Sequence, residues 1–204
     1  MRRVIAALLA ASWIAAACST FAVERYARNE DIRGPWRPEP LSVDPKTVAA
    51  AEAACDDART RFGADVAGDR LAAFDARGSG LITMIFSGAG SAFMQCELRM
   101  DAGGDLSMTG GWAEKAEGPD LLLAPDRLTI VHAGGLLSGV DLASNVVGRV
   151  GPAITSVRLV FGAGPIVQAS IGGGWFTAWW PNPDMGFVVE AYDVTGKKIA
   201  EVER

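Results

Sequence analysis

From Arg70 to the C-terminus, apolar residues fall into short runs with a period of two, separated by glycine-rich turns. "LITMIFSGAGSAFMQCELR" is two such runs around a Ser-Gly-Ala-Gly-Ser turn, and "ITSVRLVFGAGPIVQASI" repeats the scheme. In the second, Val157, Leu159 and Phe161 share one face while Ser156 and Arg158 take the other. "LSMTGGW", "RLTIVHAGG" and "NVVGRVG" are weaker runs, and "WFTAWWP", "FVVEAYD" and "KKIAEVE" complete roughly ten strands. Many short strands at close spacing predict a mainly β chain, built as an antiparallel β-sandwich or barrel-like sheet. The segments Phe86–Gln95 and Phe161–Gln168 echo each other as strand, glycine turn, strand ending in glutamine. Two related β-meanders would explain the echo, and so would two hairpins drawn from a glycine- and alanine-rich alphabet.

One N-terminal α-helix is predicted to pack on these strands. Asp44 is a suitable N-cap, Pro45 fits the first helical position, and Gly63 can adopt the left-handed stop. Between them Val48, Ala51, Cys55, Ala58 and Phe62 recur every three or four residues and form one apolar stripe. Residues 24–43 mix charges of both signs with Pro35, Pro38 and Pro40, show no apolar period, and suit a flexible tether. Trp36, inside that stretch, is either a stray exposed aromatic or a ring docked on the domain. The expected organisation is an export signal or membrane anchor over 1–23, a tether over 24–43 and a β-rich domain over 44–204.

The first residues carry the localisation. Met1-Arg2-Arg3 is a short positive region, and no charge follows from Val4 through Val23. Three fates fit. Ala15-Ala16-Ala17-Cys18 can act as a lipobox that makes Cys18 the lipid-bearing first residue, although leucine is usual where Ala15 stands. The same Ala15-x-Ala17 pattern can be cut as an ordinary secretory signal. Uncleaved, the segment would span about 30 Å as a helix, one bilayer core, with its start held in the cytoplasm by the arginines. All three place the body outside the cytoplasm, in the first and third cases attached to the membrane. Cys55 and Cys96 then sit where disulfides persist, and a Cys55–Cys96 bridge is the simplest pairing. Two buried free thiols are the alternative.

Little in the chain suggests catalysis. The one histidine, His132, alternates with Leu128 and Ile130 in an apolar run, the pattern of a core or edge histidine. No serine lies in a Gly-x-Ser-x-Gly elbow, and the glycine runs lack the full dinucleotide fingerprint. Zinc has too few ligands, and Asp56-Asp57, "DAGGD" and "NPDMG" read as helix surface and turns rather than a calcium site. No cofactor, metal or catalytic residue is therefore expected. A net charge of -5 without a lysine or arginine cluster argues against nucleic acid as a partner.

The remaining candidate is "GGGWFTAWWP", with three of the six tryptophans in six residues. As a strand it puts Trp175, Thr177 and Trp179 on one face and Phe176, Ala178 and Trp180 on the other. Aromatics on both faces suit a strand covered on both sides. The alternative is an aromatic platform on which Trp175, Trp179 and Trp180 bind an envelope polysaccharide. The chain is thus expected to be a non-catalytic binding or interaction module, its partners a membrane and a cell-wall polysaccharide or envelope protein. A polysaccharide-binding protein and an envelope hydrolase are the rival expectations.

The C-terminal region also carries a resemblance. Gly148-Arg149-Val150-Gly151-Pro152, the valine-rich hairpin after it, Gly174 to Pro181, and Ala191-Tyr192-Asp193-Val194-Thr195-Gly196 form a series of motifs. It resembles the C-terminal region of uncharacterised envelope-associated, lipoprotein-like proteins of GC-rich Gram-positive bacteria. The resemblance implies extracytoplasmic placement and a β-rich fold, and it brings no activity, cofactor or site residue. A helix cysteine followed by a strand cysteine fits the same pattern.

Overall fold

The computed structural model describes residues 27, 29–62, 70–88, 92–114, 123–138, 141–162, 164–181 and 186–204. Two helices, α1 (Asn29–Arg33) and α2 (Pro45–Phe62), precede twelve strands arranged in three four-stranded antiparallel sheets. The first sheet is a plain meander of β1 (Arg70–Ala76), β2 (Leu81–Ser87), β3 (Phe93–Met100) and β4 (Leu106–Glu114). The second contains β5 (Leu128–Ser138), β6 (Asp141–Val150), β9 (Ser170–Gly172) and β10 (Trp175–Trp180), in the order β5-β6-β10-β9. The third contains β7 (Ser156–Phe161), β8 (Ile166–Gln168), β11 (Phe187–Tyr192) and β12 (Lys198–Glu203), in the order β12-β11-β7-β8.

These elements stack in layers, and burial along each strand follows its layer. Helix α2 covers one face of the first sheet, where Ala51 and Cys55 pack with Ile82, Met84, Met94 and Leu98. The opposite face of that sheet meets the second sheet through Ala73, Ile85, Phe93, Val147 and Trp175. The far face of the second sheet packs on the third through Val146, Phe176, Trp180, Leu159, Phe161 and Val189. The second sheet is therefore covered on both sides, and all six residues of β10 are buried. β11, in the outermost sheet, instead alternates between buried and half-buried residues, as a strand with one wet face should. The β-sandwich expected from the sequence is thus doubled, two sandwiches sharing a middle sheet, with the helix packed outside.

The two echoing segments are both antiparallel hairpins, β2–β3 and β7–β8. Their settings differ. The first lies inside the meander, whereas the second is followed by a strand that crosses into another sheet. Two related meanders are not what the topology builds.

Helix α2 begins as its sequence predicts. Lys46 N–H and Thr47 N–H donate to Asp44 Oδ1 at 2.9 and 3.1 Å, filling donors that the helix itself leaves open. Cys55, on the buried stripe, forms a disulfide with Cys96 of β3 across 41 residues of sequence, joining helix to sheet.

The tether expectation needs correcting from Asn29 to Val43. This stretch forms α1 and then a strap on the body, with Ile32 fully buried. Arg37 N–H donates to Arg77 O, Leu41 N–H to Ala76 O, and Gln168 N–H to Pro38 O, at 2.8–3.0 Å. Trp36 is docked, its ring edge-on to Trp179 and its Nε1 donating to the Trp179 carbonyl at 3.3 Å. A strap held through backbone groups needs no apolar period, so periodicity could not reveal it.

Beneath the strap lies a buried ion pair. Arg77 Nε donates to Asp75 Oδ2 at 2.8 Å with both side chains fully buried. The remaining guanidinium nitrogens donate to the carbonyls of Pro38 and Gln168. Ser170 Oγ donates to the other Asp75 oxygen at 2.8 Å. Strap, first sheet and the β8–β9 corner are thereby joined through one charged pair whose hydrogen-bonding groups are met.

Candidate functional site: a cleft at one end of the sandwich

The cleft is assembled from the same glycine-rich motifs that stand out in the sequence. Gly173 and Gly174, at φ +54° and +82°, form the two-residue turn between β9 and β10. Positive φ at both central positions matches the twist of the flanking strands and favours glycine. A side chain at Gly172 would collide with the Ala72 carbonyl, and one at Gly151 with the Ala124 carbonyl, so backbone segments close in on both sides. Val150 N–H donates to Gly174 O at 2.9 Å and Gly151 N–H to Arg127 O at 2.8 Å, fixing the walls to one another.

Between these walls opens a concavity of about 460 Å³, within the range of small-molecule sites. Leu123, Ile154, Ile171 and Trp175 are among its apolar lining residues, and Arg70 and Arg149 are the charged ones among those described. Among the described residues lining it there is no carboxylate. Arg149 stands opposite Trp175 in the β6–β10 pair, its guanidinium 5.6 Å from the ring centroid. Phe93 packs against the same ring at 4.7 Å. Trp175 is therefore clamped, and it holds Arg149 by a cation–π contact.

The three tryptophans do not form a shared platform. Trp175, Trp179 and Trp180 are only 3%, 2% and 5% exposed. Trp179 packs with Leu81 and Ala143 on the side of the first sheet. Trp180 points the other way, 5.1 Å from Phe161 and 5.2 Å from Phe187. Their placement is that of core residues in a strand covered on both faces, and Trp175 alone of the three borders the cleft.

A second polar group, not foreseen from the sequence, lies between the first and second sheets. Gln95 Nε2 donates to Glu97 Oε1 at 2.9 Å, and Trp112 Nε1 donates to Gln95 Oε1 at 3.0 Å. Burial pushes the Glu97 carboxyl up to about 6, against the pull of the Gln95 hydrogen bond. His132 lies against Trp112, ring centroids 4.5 Å apart and tilted by 51°. Burial holds its pKa below the usual imidazole range, helped by the charge of Arg204 and opposed by Glu114. The available signal was the alternation in "FMQCELR": Phe93, Gln95, Glu97 and Arg99 share the face opposite Cys96.

Cys18 and the export segment lie outside the described residues. Among the described residues no helix is long and apolar enough to cross a membrane. No cluster of three or more histidine, cysteine, aspartate or glutamate residues that could hold a metal ion occurs among them either. No protein-family model, curated protein or solved structure matches the chain.

Proposed function

We propose that the protein is a non-catalytic binding module that works outside the cytoplasm and is held at the membrane by its N-terminus. The attachment is a lipid on Cys18 or an uncleaved helix. The cleft between Arg70, Arg149 and the Gly173–Gly174 turn carries the binding reading. It is concave and mostly apolar, holds a few polar groups, and has walls tied by backbone hydrogen bonds, which are the attributes of a small-molecule site. The burial of Trp175, Trp179 and Trp180 favours this cleft over an aromatic platform as the place where a ligand sits. The Cys55–Cys96 bridge is compatible with an oxidising compartment.

Native mass spectrometry of the full chain, purified from the envelope of the producing cell, tests the binding reading. A small-molecule adduct is expected, lost when Ile171→Trp fills the cleft and unchanged in mass on prolonged incubation. An adduct that the protein converts to product contradicts the non-catalytic assignment, and an adduct that survives Ile171→Trp contradicts the site. For the anchor, Cys18→Ala is expected to release the body from the membrane fraction under the lipid form of attachment and to leave it there under the helical form. Release of the unmodified chain by a high-salt wash contradicts both.

A further inference from the structure

The docked strap limits how far the body can stand from a bilayer and sets which end it turns toward it. With the chain held at a membrane by its N-terminus, the reading on which this rests, what matters is the distance to the first residue fixed on the body. Ala27, the first of the described residues, is fixed: its N–H donates to Ser42 O, and it pairs with Val43. Only Glu24, Arg25 and Tyr26 separate it from Val23, the last residue of the uncharged run. At about 3.6 Å per residue, the leash cannot exceed about 14 Å after an uncleaved helix ending at Val23, or about 32 Å after a lipid on Cys18. A tether running free to Asp44 would have allowed about 75 Å.

The leash is attached at one end of the first sheet. Leu41 N–H donates to the carbonyl of Ala76, the last residue of β1. The carbonyls of Ile32 and Gly34 accept from the N–H groups of Gly80 and Ser79 in the β1–β2 turn. Arg33 Nη1 donates to Ala102 O in the β3–β4 turn. The cleft lies at the opposite end, where Arg70 begins β1, Ser87 closes β2, and the two pair directly. The length of β1 puts these ends about 20 Å apart. A chain of net charge -5 is not drawn to anionic lipid by its body, so the leash rather than adhesion sets the orientation. We infer that α1 and the turns over 77–80 and 101–105 form the membrane-facing end of the body, and that the cleft opens on the far side. Its ligand then arrives from the aqueous space and not from the bilayer.

Energy transfer measures the orientation. The full chain, purified with its anchor, is reconstituted into phosphatidylcholine nanodiscs that carry an acceptor dye on the lipid headgroup. A fluorescent amino acid takes the place of Ala102 at one end or of Arg70 at the other, both exposed positions. Position 102 is expected to transfer more efficiently, its distance to the headgroups being shorter by up to about 20 Å. Inserting about twenty Gly/Ser residues between Tyr26 and Ala27 adds about 25 Å of flexible coil, and is expected to remove most of the difference. Equal transfer from both positions, or stronger transfer from position 70, overturns the orientation and leaves the anchor in place. A difference that survives the spacer overturns the leash as its cause, as does absence of transfer from both positions in disc-bound chain. A chain that does not stay with the discs contradicts the membrane attachment itself, and the orientation with it.

Discussion

The guanidinium of Arg149 lies 5.6 Å from the centroid of the Trp175 ring, directly opposite it in the β6–β10 pair. The ring belongs to the core between the first and second sheets, and Arg149 lines the cleft beside it.

That placement predicts unequal costs of substitution. Arg149→Leu forfeits a partly exposed cation–π contact and should lower stability by about 1 kcal/mol. Trp175→Ala removes a ring that is 3% exposed and packed on Phe93, and should cost about 3–5 kcal/mol. Urea midpoints at constant slope check the ratio. Equal costs would mean that Arg149 carries as much of the fold's stability as the ring beside it.

Glu97 should make stability depend on pH. Its carboxyl titrates at about 6 in the fold because burial disfavours the charge, against an ordinary value of 4.5. A pKa that is higher folded than unfolded makes folding take up a proton. The favourable contribution is therefore fully present below the ordinary value and lost as pH rises through 6. Glu97→Gln removes the ionisation while keeping an oxygen for Gln95 to donate to. It should stabilise the protein by about 2 kcal/mol above pH 7, with the gain vanishing near pH 4. Denaturation series across that range measure it, and a gain of equal size at both ends would exclude the carboxyl as its origin.

The Asp75–Arg77 pair should behave as a buried unit. Removing one partner by Asp75→Ala or Arg77→Met leaves an uncompensated group in the interior and should cost about 3–5 kcal/mol. The Arg77 variant also strips donors from the Pro38 and Gln168 carbonyls. Amide exchange at Arg37 and Leu41, which bond to the carbonyls of Arg77 and Ala76, should then accelerate beyond the global change. Uniform exchange across the chain would mean that the strap is held by other contacts.

Much of this architecture was legible because local chemistry decided it. Asp44 caps α2 where a capping residue was expected, and the stripe through Ala51 and Cys55 faces the sheet it had to face. β10, with aromatics on both sides, is covered on both sides. Less accessible was what depends on strands distant in sequence. Nothing near "GRVGP" says that its arginine will meet the ring of Trp175, since that contact exists only once β6 and β10 pair. The strap over 34–41 reads as a spacer because it is held through the backbone groups of Arg37, Pro38 and Leu41, the Pro38 carbonyl also accepting from the Arg77 guanidinium, rather than through an apolar face. Gln95 and Glu97 point into the body against their polarity, and the partners that accommodate Gln95 come from β4 and its own strand.

The account turns on which side of the membrane this folded body occupies. Differential alkylation in intact, permeabilised and reductant-treated cells, read by mass spectrometry of the peptides carrying Cys55 and Cys96, measures it directly. If the body is exported, both thiols should resist alkylation until a reductant is added, in intact and in permeabilised cells alike, because the Cys55–Cys96 bridge persists in an oxidising compartment. Both cysteines alkylated without reductant, and only once the cells are permeabilised, would place the protein in the cytoplasm and contradict the account.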